Sequence, residues 1–255
     1  MLEHFKKSDH EFVIRAKDWV NQVVVKEQVK ITKFLTPYEQ QILRSFVNQN
    51  QGIDVLFVGG FPNSERNRGI IFPGYMKAQK AEQKVAGFQI KYNEKLSKLE
   101  HQQVLGSLMA LKIDRSIIGD IAILETGEIY FAVCEEYSDF LIDNFTMVGR
   151  NIITLVAVNL QAIVKCEQYL GLEIMISSMR LDVIVAALMN ASRAQAGAYL
   201  KQGFVKLNHQ VNKNQTQICK IKDVISIKRY GRYEIMEQKK ITKKQKIVIV
   251  VRKAI

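Results

Sequence analysis

The sequence predicts an α+β protein built in three consecutive parts, and three observations carry that prediction. Capped helices and short β-branched runs alternate through residues 1–75, as in a small α/β unit. A β-α-β-β-α-β order follows over residues 76–170. Two capped helices and a series of short strands close the chain over residues 174–255. With 255 residues, 47 % of them apolar and only three prolines, the chain has the material for several small cores.

The first part opens with an amphipathic pattern over residues 9–31 that holds the single tryptophan, Trp19. Thr36-Pro37-Tyr38-Glu39 then starts a second helix: Thr36 caps, Pro37 suits the first helical position, and Glu39 completes a capping box. Residues 54–58 read as a buried strand. Gly59-Gly60-Phe61-Pro62-Asn63 forces a turn, and residues 69–72 read as the returning strand.

In the second part, residues 86–92 read as a strand and residues 100–112 as a helix. Residues 120–124 and 128–133 form a hairpin around Thr126-Gly127. Residues 136–148 read as a helix with Phe140, Leu141 and Phe145 on one side, and residues 151–158 as a last strand. This is the split ferredoxin-like order, which RNA-recognition (RRM-like) domains share. Tyr130 and Phe131 fall on the third strand, where such domains stack bases. They match the aromatic signature only in part and alternate as any half-buried strand does, so sheet packing is the preferred reading.

The third part begins with a helix over residues 181–189, apolar at Leu181, Val185, Leu188 and Met189. Ser192 caps a second helix, Gln195 completes its capping box, and Gly203 stops it. Short strands follow at residues 204–207, 224–228, 233–236 and 246–251.

Charge separates the third part from the rest. Residues 174–255 carry 17 Lys and Arg against 4 Asp and Glu, a balance of +13, whereas residues 1–173 balance to −1. A near-neutral body with a cationic end is the footprint of a polyanion binder. An anionic membrane would need a basic amphipathic helix with large apolar anchors. Here the cations lie on strands, turns and an Ala- and Gly-rich helix, so nucleic acid is the better partner. The candidate contacts are Arg180, Ser192, Arg193, Gln195, Lys201, Lys206, Asn208, Lys228, Arg229 and Arg232. Ser192 offers a helix start, Gly197 between Arg193 and Lys201 lets a backbone approach, and Tyr230 adds a stacking ring. The run Lys239, Lys240, Lys243, Lys244 and Lys246 reads either as a solvated hairpin or as further contact. Arg66, Arg68, Arg115 and Arg150 are a candidate second polyanion surface on the body.

These residues resemble a known domain. Arg180-Leu181-Asp182, Ser192-Arg193-Ala194-Gln195-Ala196, Gly203-Phe204-Val205-Lys206-Leu207-Asn208 and Asp223-Val224-Ile225-Ser226-Ile227 with Gly231-Arg232 are similar to the S-four (αL) type of RNA-binding domain. The resemblance implies a helix pair and small sheet that grip structured RNA, with Arg193 in the most characteristic contact position. Tyr230 stands where that family often has glycine. The rest of the chain resembles the YlmH-like RNA-binding proteins of Gram-positive bacteria. The similar stretches are Phe34-Leu35-Thr36-Pro37, Gly59-Gly60-Phe61-Pro62 with Glu65-Arg66, His101 with Leu105-Gly106-Ser107-Leu108-Met109, Arg115 with Gly119-Asp120-Ile121, and Val148-Gly149-Arg150. That resemblance implies a cytoplasmic factor, encoded beside cell-division genes, that binds rRNA or tRNA. It also implies a role on large ribosomal subunits blocked by peptidyl-tRNA, in quality control of stalled translation.

An RNA-modifying enzyme is the rival reading. The only Arg-Leu-Asp, at 180–182, already belongs to the binding domain, so a pseudouridine synthase nucleophile is missing. Val58-Gly59-Gly60-Phe61-Pro62 is a poor methyltransferase loop and reads first as a turn. Asp120 and Arg115 could lie near His101, but no spacing argument brings them within proton-transfer reach, and His101 reads as a histidine at a helix start. No cofactor and no metal is called for, and the expectation is no catalysis. Cys134, Cys166 and Cys219 are far apart and odd in number, which suits buried thiols in a reducing compartment. No stretch reaches the roughly 18 apolar residues of a membrane span, and the opening residues 1–7 carry no signal-peptide pattern.

Overall fold

The computed structural model describes residues 9–76, 84–93, 98–163, 169–242 and 245–254. The opening residues 1–7, Cys166, Lys243 and Lys244 lie outside the described residues. The fold is α+β and divides into two compact units, Met1–Cys166 and Glu167–Ile255.

The first unit begins with α1 (His10–Lys26), shorter than the amphipathic pattern suggests, and β1 (Lys30–Leu35) follows it. Glu27 adopts a left-handed conformation (φ 51°) and ends the helix with its N–H on the Val23 carbonyl. The alternating run to Leu35 then pairs with a strand, Ile31 opposite Ile70. Next come α2 (Pro37–Asn48), β2 (Ile53–Val58) and β3 (Asn67–Pro73). The expected capping box of α2 is present: the Glu39 N–H donates to Thr36 Oγ1 at 3.3 Å, and the Thr36 N–H donates to Glu39 Oε2 at 2.7 Å. The sheet order is β1-β3-β2, antiparallel throughout. Phe12, Val20, Leu43 and Phe46 pack the two helices into one core with Ile71.

β4 (Val85–Lys91), α3 (His101–Ala110), β5 (Ile118–Ile123), β6 (Ile129–Cys134), α4 (Ser138–Asn144), β7 (Met147–Val148), β8 (Asn151–Ile152) and β9 (Thr154–Ala157) complete the unit. The order β5-β6-β4-β9, all antiparallel, is the ferredoxin-like arrangement. α4 is half the expected length, because residues 147–148 leave the helix to pair with residues 151–152 around Gly149 (φ 60°). One sheet face, with Phe88 and Phe131, meets Phe145. The opposite face, where RNA-recognition domains stack bases, is covered. A Cβ on Gly87 would sit 2.4 Å from Leu160, and one on Gly60 would sit 2.6 Å from Ala132. Only glycine allows the Gly59–Gly60 turn to lie so close to the strands. Tyr130 and Phe131 are both buried, and Tyr130 Oη accepts from Gln89 Nε2 at 3.2 Å. Both rings serve sheet packing.

Arg68 ties the two halves of this unit together. Its guanidinium is buried, donates to the Thr32 and Lys84 carbonyls, and forms a two-pronged pair with Glu136 at 2.9 and 3.0 Å. It is therefore not part of a polyanion surface.

The second unit contains β10 (Tyr169–Ile176), α5 (Leu181–Met189), α6 (Arg193–Lys201), β11 (Val205–Leu207), β12 (Gln210–Val211), β13 (Val224–Ile227), β14 (Gly231–Ile241) and β15 (Ile247–Ala254). The sheet order is β10-β15-β14-β13-β11-β12. β10 starts before the boundary drawn from charge at residue 174 and pairs with β15 along its whole length. Leu181, Ile184, Val185, Ala196 and Leu200 of the helices share one core with Val205, Ile225, Ile227, Ile235 and Val251 of the sheet. The helices therefore cover one sheet face, and residues of the opposite parity lie on the other.

Candidate nucleic-acid interface

Two groups of predicted contact residues form, one at the helix starts and one on the open sheet face. The first is organised by an acidic residue that the sequence placed in a domain motif but did not mark as an organiser of the contacts. Asp182, in the first turn of α5, is only 3 % exposed. Arg180 donates to both its oxygens, Nε to Oδ1 at 3.0 Å and Nη2 to Oδ2 at 3.1 Å, and Arg193 Nη2 donates to Oδ2 at 2.8 Å. Burial alone would raise the Asp182 pKa. The hydrogen bonds and charges of Arg180 and Arg193 outweigh it and hold the carboxyl below its ordinary value. One buried anion thus orients two guanidiniums, while the Arg193 side chain keeps 59 % of its surface open. The sequence signal was an aspartate two residues after an arginine at a helix start. It is easily read as a favourable first-turn charge alone.

α6 carries its predicted capping box. The Gln195 N–H donates to Ser192 Oγ at 3.2 Å, and the Ser192 N–H donates to Gln195 Oε1 at 3.0 Å. Both side chains are thereby engaged in holding the helix start that presents Arg193. Gly197 is buried rather than open. The Gln215 side chain lies 3.1 Å from where its Cβ would be, on a loop fixed by the Leu181 N–H to the Gln217 carbonyl and the Asp182 N–H to the Gln215 carbonyl. The expected path along Arg193, Gly197 and Lys201 is therefore interrupted by that loop. Lys201 is exposed at the last turn.

The second group follows from strand register. Lys206 pairs with Ser226, and Ser226 pairs with Arg232, so the three form one cross-strand row on the face away from the helices. Neighbouring strands lie about 4.8 Å apart, which places the two cations roughly 10 Å apart along that row. Asn208 (φ 49°) is committed locally: its Nδ2 donates to Asp223 at 2.9 Å, and its Oδ1 accepts the Val224 N–H at 2.9 Å. Lys228 Nζ lies 4.5 Å from the centre of the Phe204 ring. In the turn between β13 and β14 the left-handed positions are Arg229 (φ 71°) and Gly231 (φ 113°). Tyr230 therefore replaces a glycine without strain there. Its ring stands edge-on to Tyr199 at 5.9 Å, beside Phe204, in a half-buried aromatic cluster.

A helix pair and small sheet with arginines fixed at the helix starts define an RNA-binding domain of the S4 class, and the family model described as S4 domain matches residues 179–225. Residues 8–76 match the model described as "YlmH, N-terminal", and residues 78–162 match "Putative RNA-binding domain in YlmH". The chain belongs to the YlmH-like family of RNA-binding proteins with a C-terminal S4 domain. It is 29 % identical over 247 residues to "Ribosome-associated protein quality control protein P2" of Bacillus subtilis (strain 168), covering 96 % of this chain and 95 % of that one. It also resembles the solved structure of "Cell division protein ylmH from Streptococcus pneumoniae" at 22 % identity and TM-score 0.52, over 61 % of this chain and 93 % of that chain, a likeness of fold.

Proposed function

We propose that this protein is a cytoplasmic, ribosome-associated RNA-binding factor that acts by holding rRNA or tRNA on the large subunit and catalyses no change in it. The observation that carries the reading is the Arg180–Asp182–Arg193 cluster, two guanidiniums fixed by one buried carboxylate inside an S4 domain. Arg193 is the principal phosphate contact, because a planar fork held in place meets a phosphate with two parallel bonds. Lys206 and Arg232 extend contact across the sheet face, with Lys201, Lys228 and Arg229 adding charge around it. Ser192, Gln195 and Asn208 support the backbone that carries these cations. The name of the Bacillus subtilis relative supports the ribosome as the assembly. Among the described residues no helix is long and apolar enough to cross a membrane. In this reading the three parts, 1–75, 76–170 and 174–255, work as a clamp, the last supplying most phosphate contacts.

The test is co-sedimentation with ribosomal subunits over a series of salt concentrations. Arg193→Ala should weaken association and flatten the salt dependence by about 0.7 to 0.9 in log–log slope, one phosphate contact's worth. An unchanged slope and sedimentation would remove Arg193 from the interface. Incubation with rRNA and tRNA, with and without S-adenosylmethionine, should leave every nucleoside unaltered. Stoichiometric modification would favour an enzyme instead.

A further inference from the structure

β10 is the outermost strand of its six-stranded sheet, with β15 on one side and, among the described residues, no strand on the other. It pairs with β15 over eight consecutive positions, Tyr169–Ile176, without a bulge. The opposite edge of the sheet is β12, which has only two residues. Shortness, proline, bulges and charges are the devices that keep an edge strand from pairing with another chain. β10 has none of the first three, and its single charge, Glu173, is engaged by Lys239. Five of its eight residues are exposed, including Tyr169, Leu170 and Met175. Leu172 and Ile174 reach the helix-side core but are only partly buried there, so the core is open at this edge. By alternation Leu170 shares their side, and Tyr169, Gly171, Glu173 and Met175 lie on the other face.

The strand is also complementary to itself. A two-fold axis perpendicular to the sheet joins two copies antiparallel with each face continuous, so facing residues must have the same parity. An axis at Glu173 would set two like charges directly opposite each other. An axis at Leu172 sets Tyr169 opposite Met175, Leu170 opposite Ile174, Gly171 opposite Glu173, and Leu172 opposite its own copy. The exposed Leu170 then meets an aliphatic side chain, and the exposed Met175 meets an aromatic ring.

We propose that β10 is a self-association edge, through which two copies of this chain pair antiparallel about Leu172 and continue both the sheet and its core across the axis. The pairing needs no RNA and stands apart from the function proposed above. It sets the faces that carry Lys206 and Arg232 on the same side of the joined sheet.

Sedimentation equilibrium of the full chain without RNA tests the edge. A strand pair is a small interface, so the wild type should dimerise with a Kd of roughly 10 to 100 µM. Gly171 has open space where a Cβ would be and no left-handed φ, so a charge can be placed there without disturbing the fold. Gly171→Lys faces the other copy's Glu173 on both sides of the axis and should lower the Kd by about two- to tenfold, and Gly171→Glu should raise it by a similar factor. Arg252, opposite Gly171 on β15, is present in monomer and dimer alike. General repulsion between molecules of net charge +12 predicts the reverse order, so the sign separates strand pairing from bulk charge.

Cysteine variants read the register. Leu172→Cys sets two thiols opposite each other with Cα atoms about 4.5 to 5.5 Å apart, so diamide should trap a covalent dimer above the wild-type background. Leu170→Cys keeps its two thiols roughly 14 Å apart along the strands and should not. A chain that stays monomeric to about 500 µM would overturn the pairing. So would a Kd for Gly171→Glu no higher than that for Gly171→Lys, or equal trapping of the two cysteine variants.

Discussion

In the binding mode proposed above, Asp182 decides how much of the RNA-binding end is preformed. Its two arginine partners would otherwise sample many rotamers, and holding them before binding would remove that cost from the association. Asp182→Asn should therefore weaken RNA binding by roughly three- to tenfold, about the net effect of one ordinary hydrogen bond. Combined with Arg193→Ala it should add little, because it acts through that guanidinium. The same carboxylate predicts an acid response. Its folded pKa lies below the ordinary carboxylate value, so its stabilisation is present above the unfolded pKa of about 3.9 and is lost as pH falls through the folded value. Glu136 behaves alike: burial opposes ionisation, but the hydrogen bond and charge of Arg68 prevail. Thermal unfolding between about pH 5 and pH 2 should fall less steeply for Asp182→Asn than for the wild type, and parallel curves would refute the assignment. The thiols point the other way. Burial pushes Cys134 up to about 11 and Cys219 up to about 12, so both remain protonated at neutral pH. Peptide mapping after alkylation at pH 8 should show slow labelling of both in the native chain and rapid labelling in denaturant.

Among the elements, those with local punctuation were legible and those settled by tertiary pairing were not. Thr36 and Glu39 marked α2, Ser192 and Gln195 marked α6, and both boxes form. The end of α1 was hidden because its left-handed residue is Glu27, where glycine would have signalled a stop. The valine-rich run around it satisfies helical and strand patterns alike. β10 was obscured for a different reason. It shows little burial until Ile176, so neither alternation nor an apolar run announces it, and β15 supplies the pairing. At the site, the cations were legible as single residues, but their grouping required strand register and the Gln215 loop over Gly197. Thr36→Ala should cost about 1 kcal/mol through the lost cap. Gly87→Ala should cost about 1 to 3 kcal/mol, because its Cβ would meet Leu160 and the Val158 carbonyl, which is backbone and yields least. Urea unfolding of each variant measures both, and a neutral Gly87→Ala would mean that the sheet face is not closed.

Across the whole molecule, stability and charge are distributed between separate cores. The first unit holds buried ion-pair and glycine contacts that fix its fold, and the second holds most of the cationic surplus over a core of its own. Changes in the two should therefore dissociate in their effects. Gly87→Ala should lower the unfolding temperature of the first unit while leaving the salt slope of RNA binding unchanged at temperatures where that unit remains folded. Arg193→Ala should do the reverse. Its side chain is mostly exposed, and Asp182 keeps Arg180 as a partner, so the fold loses little. Loss of the proposed phosphate contact should still flatten the salt slope by about 0.7 to 0.9. Calorimetry and RNA titration on the same three proteins settle the matter. If Gly87→Ala flattened the slope as much as Arg193→Ala, RNA affinity would depend on the integrity of the whole chain and not on the arginines that Asp182 holds.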